Sequence, residues 1–162
     1  MLTAERVREL LDYNPLTGAL TWRERMGGTA NKGSIAGSNR KDGYLQTRVD
    51  VNRYLNHRII WLWVTGSWPV NHIDHINGIR NDNRLINLRD VIRKNNNENL
   101  HSPYKNNSTG FLGVSKSPSC STYRARIRHN KQLIEIGNFR NPEDAHNAYI
   151  EVKRRLHDGC TI

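Results

Sequence analysis

The chain has 162 residues, room for one ordinary domain or for two small ones with modest cores. Lys and Arg outnumber Asp and Glu by 25 to 15, giving a formal charge of +10 and an isoelectric point near 10.1, which points to a polyanionic partner. The excess is +5 on either side of residue 100, so neither half is a basic tail on a neutral protein. Only Cys120 and Cys160 are present, and neither belongs to a Cys-x-x-Cys pair, which excludes a cysteine-ligated zinc site and implies free thiols. Glu5, Arg6, Arg8 and Glu9 stand where a signal peptide needs an apolar run, and no stretch reaches membrane-spanning length. A cytoplasmic location without a membrane partner is expected. The sequons within Asn106-Asn107-Ser108-Thr109 then carry no meaning.

In chain order, residues 3–12 read as a short amphipathic helix capped by Thr3, with Val7, Leu10 and Leu11 at helical spacing. Residues 14–18 form a turn, and Leu20-Thr21-Trp22 a strand. Five glycines mixed with Asn, Ser and Lys make 26–43 a mobile loop. Period-two alternation over 44–51, a turn at Asn52 and a continuation at 53–55 predict a β-hairpin. Residues 57–64 are the most apolar segment and predict a buried helix ending near Thr65-Gly66. The tryptophans fall among aliphatic residues and read as core, not as stacking platforms. Residues 101–109, rich in Ser, Asn, Lys and Pro, suit a linker. Beyond it, 111–115, 123–128 and 133–137 predict three short strands. Asn141-Pro142-Glu143-Asp144 starts a helix whose apolar stripe is Ala145, Ala148, Tyr149, Val152 and Leu156. Lys153-Arg154-Arg155 at its end is suited to the helix dipole or to phosphate.

The segment with the most chemistry is Ile73-Asp74-His75-Ile76-Asn77-Gly78, followed by Asp82-Asn83-Arg84, Asn87-Leu88-Arg89 and the Asn-rich run 95–99. Cleaving a phosphodiester requires a base for water, a cation on the phosphate and a group that orients the base. A His beside an Asp, with carboxamides following, can supply all three. The spacing resembles the HNH nucleases, in their phage and intron-encoded branch where Asn replaces the last His. The "TG-x-L-x-W" start, "GY" strand, "HR-x-x-W" helix and "W-P" turn are similar as well.

That resemblance implies an α+β fold in which an HNH (ββα-metal) nuclease domain, 1–100, precedes the 101–109 linker. It makes Asp74 and Asn96 the protein ligands of one divalent cation, Mg²⁺ or Mn²⁺, both residues offering hard oxygen donors. It makes His75 the general base and gives Asn87 the role of holding His75 or the hairpin. Asn99, one helical turn from Asn96, is a rival ligand. Asn77, Gly78 and Asn83 are expected in turns; His57 and His72 lie near the motif, and of the roles open to His72, a proton acceptor, a phosphate contact or a structural residue, the last is expected.

The last segment, 110–162, resembles the APETALA/ethylene-response-factor DNA-binding domain through "G-V" at 113–114, "Y-R-A-R-I" at 123–127, "I-G-x-F" at 136–139 and "E-x-A-x-x-A-Y" at 143–149. It implies a three-stranded antiparallel sheet packed on one helix, with Arg124, Arg126 and Arg128 on one face available to guanine edges. Lys116 and, in the first half, Arg48 and Arg53 are further candidates for DNA contact, and Arg40 and Lys41 could follow the backbone. The expected protein is a monomeric, metal-dependent homing-type endonuclease acting on duplex DNA, with no small-molecule cofactor. A DNA-binding regulator with an inactive nuclease half is the alternative. A structured-RNA binder is weaker, because the exposed aromatic pairs that stack bases are missing.

Overall fold

The computed structural model describes every residue, Met1–Ile162. The chain divides into two compact units, Met1–Arg93 and Lys94–Ile162. The division therefore falls ahead of the 101–109 stretch expected to be a linker. That stretch belongs to the second unit, where the Asn107 amide donates to the carbonyls of Phe111 and Val114, each at 3.1 Å. Polar composition does not separate a free linker from a loop held by its own side chains, which is why the sequence placed the boundary too late.

In the first unit, α1 (Ala4–Leu10) begins as predicted, with the Thr3 hydroxyl accepting from the Arg6 N–H. The helix stops at Leu10, and Leu11–Asn14 forms β1, paired antiparallel with β2 (Ala19–Trp22). Leu11 is buried in either conformation, so apolar spacing alone does not reveal the switch to period two. Asn14 Oδ1 accepts from the N–H groups of Leu16 and Thr17, closing the turn. At Gly18 (φ 72°) a Cβ would lie 2.6 Å from the backbone carbon of Asn83, so this turn must be bare.

The 26–43 loop contains one short strand, β3 (Ser38–Asn39), which pairs with β4 (Leu45–Val49). β4 pairs with β5 (Asn52–Leu55). The turn lies one to two residues before the expected Asn52: Asp50 adopts φ 52° and Asn52 is already paired with Val49. Helix α2 (Asn56–Thr65) follows and ends at Gly66 in the left-handed conformation. Strand β6 (His72–His75), a single 3-10 turn (Leu85–Asn87) and β7 (Leu88–Val91) complete the unit.

The core of the first unit joins one face of α1, β2, β4 and the inner face of α2 to Ile73 and Leu88 of the last hairpin. The tryptophans serve this core, as expected. Trp22 is buried, and Trp61, Trp63 and Trp68 pack against the cluster. The indole N–H groups of Trp63 and Trp68 are satisfied by the carbonyls of Leu11 and Leu2.

Helix α3 (Arg93–Glu98) has all but its first residue in the second unit, and β8 (Val114–Lys116), β9 (Tyr123–His129), β10 (Gln132–Phe139) and α4 (Pro142–Leu156) follow. The antiparallel sheet has the order β10-β9-β8, and α4 packs on all three strands. Asn141 caps α4 by accepting from the Asp144 N–H at 2.8 Å. Gly113 lies against the ring of Tyr149, where no Cβ fits. The helix buries Ala145, Tyr149 and Lys153 at spacing four. Of the roles expected of Lys153, helix dipole or phosphate, its burial excludes the phosphate contact. The lysine is 1% exposed, donates to the Leu100 carbonyl at 2.6 Å, and burial lowers its pKa.

Candidate active site

The hairpin of β6 and β7 fixes the geometry of the site. Its register pairs Ile73 with Asp90, Asp74 with Arg89 and His75 with Leu88. Alternation along β6 sends Ile73 and His75 to one side and Asp74 to the other. Asp90 secures the approach to the strand: its two carboxylate oxygens accept from the N–H groups of Val70 and Asn71 at 2.8 and 2.9 Å.

His75 is 4% exposed. The His57 ring meets it edge-on at 5.1 Å between centroids, and the Tyr44 ring lies at 5.8 Å. Its Nε2 lies 3.1 Å from Asn83 Oδ1. An amide oxygen can only accept, so Nε2 carries the proton and the imidazole lone pair is at Nδ1. Burial lowers the pKa of His75, against the opposing pull of the Asn83 bond and of Asp74 and Asp82. Burial also lowers that of His57 to about 3, helped by the nearby His75 and Arg58. Both rings are therefore neutral near pH 7, the state a proton acceptor requires.

Asn83, expected only to shape a turn, is the site residue the sequence reading missed. It is 1% exposed, and its carboxamide is the hydrogen-bond partner of His75. The Asp-x-x-x turn composition around it hid this role, because a turn Asn and a buried orienting Asn look alike in sequence. Asn87 acts elsewhere. Its Oδ1 accepts from the Asn77 N–H at 2.9 Å and its amide donates to the Asp82 carbonyl at 2.8 Å, bracing the 76–83 loop. Of the two roles expected for Asn87, these bonds serve the hairpin. His57 is buried and packed directly on His75; His72 is exposed at the start of β6.

Asp74 is buried, and its Oδ2 accepts from Arg89 Nε at 2.9 Å and Nη2 at 2.8 Å. Arg89 was not foreseen as its neighbour, though the register makes them direct cross-strand partners. Asn96 and Asn99 both lie in the second unit, Asn96 within α3 and Asn99 just after it. The Asn99 Oδ1 accepts from the Thr161 hydroxyl and lies 3.1 Å from His101 Nε2.

The expected DNA-contacting residues divide between the units. On β9, Arg124, Arg126 and Arg128 alternate with the buried Ala125 and Ile127, so they share the face away from α4. Arg124 lies 3.8 Å from Glu135, Arg126 donates to the Ser115 hydroxyl at 3.3 Å, and Arg128 is exposed. Lys116 is exposed on β8. In the first unit Arg48 and Arg53 are exposed and directly opposite each other on β4 and β5, while Arg40 is paired with Asp42 at 2.9 Å.

No curated protein and no solved structure matches the chain. One family comparison does match, over residues 54–98, and it leaves residues 99–162 uncovered, so the likeness of the second unit to ethylene-response-factor domains has no support from it. The matched family is described as HNH endonuclease, and the matched span contains Asp74, His75, Asn83, Asn87 and Asn96: the chain carries an HNH endonuclease domain at residues 54–98.

Proposed function

We propose that this protein is a metal-dependent, homing-type DNA endonuclease that hydrolyses phosphodiester bonds of duplex DNA as a monomer. The observation that carries this reading is His75, buried and neutral, with its tautomer set by Asn83, beside a buried carboxylate on the same strand. HNH nucleases in general depend on a divalent metal, and a buried carboxylate at the motif is a donor of the right kind. Asp74 offers a buried carboxylate suited to Mg²⁺ or Mn²⁺, and the HNH resemblance adds the Asn96 amide oxygen as its second ligand. Asn99 is the poorer ligand, because its oxygen already serves Thr161. When bound, such a cation supplies positive charge to the scissile phosphate and the leaving oxygen.

His75 Nδ1 takes the proton of the attacking water, and Asn83 holds the ring while positive charge develops on it. Asn87 keeps the 76–83 loop closed beneath Asn83. Arg89 orients Asp74 and offsets its charge. The basic surface supplies affinity for duplex DNA, with the Arg residues of β9 offered to base edges as the ethylene-response-factor resemblance implies. One site cuts one strand, so a monomer nicks unless it dimerises or reorients.

A second reading, a DNA-binding regulator, is favoured by the Arg89 fork on Asp74, an internal cation that could replace the metal. Incubating supercoiled DNA that carries the recognition sequence, drawn from a library of the source genome, with Mg²⁺ separates the two. Nicking that stops in EDTA and in Asp74→Ala is expected. Binding of that DNA without nicking in either Mg²⁺ or Mn²⁺ would establish the regulator instead.

A further inference from the structure

The second unit has 69 residues, and its fully buried apolar cluster is small: Leu112, Val114, Ala125, Ile127, Ala145 and Tyr149. Domains of this size commonly need a staple in addition to their core. The two inward faces show where the apolar residues end. Along β9 the inner positions run Ala125, Ile127, His129; along α4 they run Ala145, Tyr149, Lys153, and the same spacing continues to His157. Both rows finish in a histidine, and the two rings stack at 5.9 Å with an interplanar angle of 25°. Glu98, the last residue of α3, joins them. It is buried, and one ligand atom from each of Glu98, His129 and His157 lies within 4.8 Å of the others.

The hydrogen bonding of these residues is what a ligand set leaves undone. Both imidazole Nδ1 atoms are buried with no hydrogen-bond partner. His157 Nε2 lies 3.0 Å from the Arg128 carbonyl, which can only accept, so Nε2 carries the proton and the lone pair is at Nδ1. Donation of the remote N–H to a backbone carbonyl is the usual support of a metal-bound histidine. His129 Nε2 lies 2.9 Å from the Asn130 amide, whose oxygen is 3.2 Å from Lys94 Nζ. A half-turn of that exposed carboxamide, which gives up its exposed contact with Lys94, lets Nε2–H donate to the oxygen and leaves the lone pair of His129 at Nδ1. Glu98 keeps one oxygen near the Gly159 N–H at 3.3 Å, and its other oxygen meets Lys94 only at 3.7 Å. A buried carboxylate so weakly compensated favours a cation beside it.

We propose that Glu98, His129 and His157 bind a zinc-class transition-metal ion that staples α3, the end of β9 and the C-terminal end of α4 within the second unit. Two imidazoles and one carboxylate suit Zn²⁺, whereas Mg²⁺ selects oxygen ligands, so this ion is distinct from the one assigned to Asp74 and Asn96. Tetrahedral ligation at ordinary zinc distances puts ligand atoms about 3.4 Å apart, so the group closes by about 1 Å on binding and leaves the fourth position to water.

The test uses the full-length chain with Zn²⁺ as the probe. Titration calorimetry should show one zinc site that survives Asp74→Ala and survives excess Mg²⁺. The same site should weaken by about 100-fold or more in His157→Gln and in Glu98→Gln. Because either variant could fail to fold, the wild-type protein provides a second readout. Stoichiometric Zn²⁺ should move the Nδ1 ¹⁵N resonances of His129 and His157 and raise the midpoint of thermal unfolding, neither of which Mg²⁺ should do. Unmoved imidazole resonances at one equivalent of zinc, or an affinity indifferent to His157→Gln and Glu98→Gln, would overturn the proposal.

Discussion

The two units place histidines at the edge of their cores in opposite ways. The first unit has fourteen buried apolar residues in its cluster, and His57 and His75 are continuous with it, packed against each other and against Tyr44. The second has six, and His129 and His157 stand where that cluster ends. In the first unit burial holds the rings neutral and an amide oxygen fixes the His75 tautomer, the state in which an imidazole can accept a proton. In the second, two buried nitrogens are left without partners, which prepares a ligand set. The same side chain therefore takes its chemistry from what closes the shell around it: protein atoms for His75, an exogenous cation for His129 and His157.

The largest effect that probes this contrast is His75→Ala. Loss of the base should lower cleavage by ~10²–10⁴ while DNA affinity stays nearly unchanged, since the base acts in the transition state. Single-turnover cleavage and filter binding on one duplex read the two quantities. Cleavage within tenfold of wild type would remove His75 from the mechanism and leave the first unit's histidines purely structural.

Next is Asn83→Ala, set beside Asn87→Ala. Asn83 touches His75, so its removal should reduce kcat by about tenfold to a hundredfold with KM unchanged. Asn87 holds backbone groups of the 76–83 loop, so its removal should lower the urea midpoint first and activity through it. Equal effects of the two variants on kcat at equal stability would erase the distinction.

Third is acid sensitivity of the first unit. The pKa of His57 is held at about 3, against an ordinary 6.5, so the unfolded chain takes up its proton first. The stability this confers is fully present above 6.5 and is lost as pH falls from there towards 3. At pH 5 the loss is on the order of 2 kcal/mol, and His57→Phe should flatten the dependence. Urea midpoints between pH 7 and pH 4.5 measure it, and a wild-type profile as flat as the variant's would show that His57 is not kept neutral.

Much of this was legible in the sequence because two signals coincided. Periodicity placed α2, the β4–β5 hairpin, the three strands of the second unit and α4, with shifts of one to three residues at their ends. Motif spacing singled out Asp74, His75 and Asn96 as site candidates, and the first two lie side by side on the β6–β7 hairpin. What escaped has a common physical origin: it depends on contacts between segments that sequence spacing does not encode. Asn83 is given its role by the loop that folds it onto His75, and Arg89 reaches Asp74 only through the β6–β7 register. A charge at a helix end suits the dipole or a phosphate, yet the spacing of four from Ala145 and Tyr149 puts Lys153 on the inner face. The same spacing carried on to His157.

The smallest expected effect concerns the exposed arginines, and it compares the units as DNA surfaces. Arg48 and Arg53 face each other across β4 and β5, and like charges directly opposite destabilise a strand pair. Arg53→Ala should therefore stabilise the free protein by ~0.2–1 kcal/mol while weakening DNA binding, because a polyanion no longer relieves the repulsion. If the arginine contacts one phosphate, the slope of log K against log salt falls by ~0.9, about a threefold loss of the affinity change between 50 and 200 mM salt. Arg128→Ala, on the open end of β9, has no such cross-strand partner: its register neighbour is Leu133. It should lower the slope without stabilising the protein, and if the side chain reaches a guanine edge it costs ~1–3 kcal/mol at one base pair only. Thermal midpoints and salt titrations of the two variants are enough. A slope that moves in Arg128→Ala alone would assign the DNA path to the second unit, one that moves in Arg53→Ala alone would assign it to the first, and the free-state stabilisation in Arg53→Ala should persist in either case.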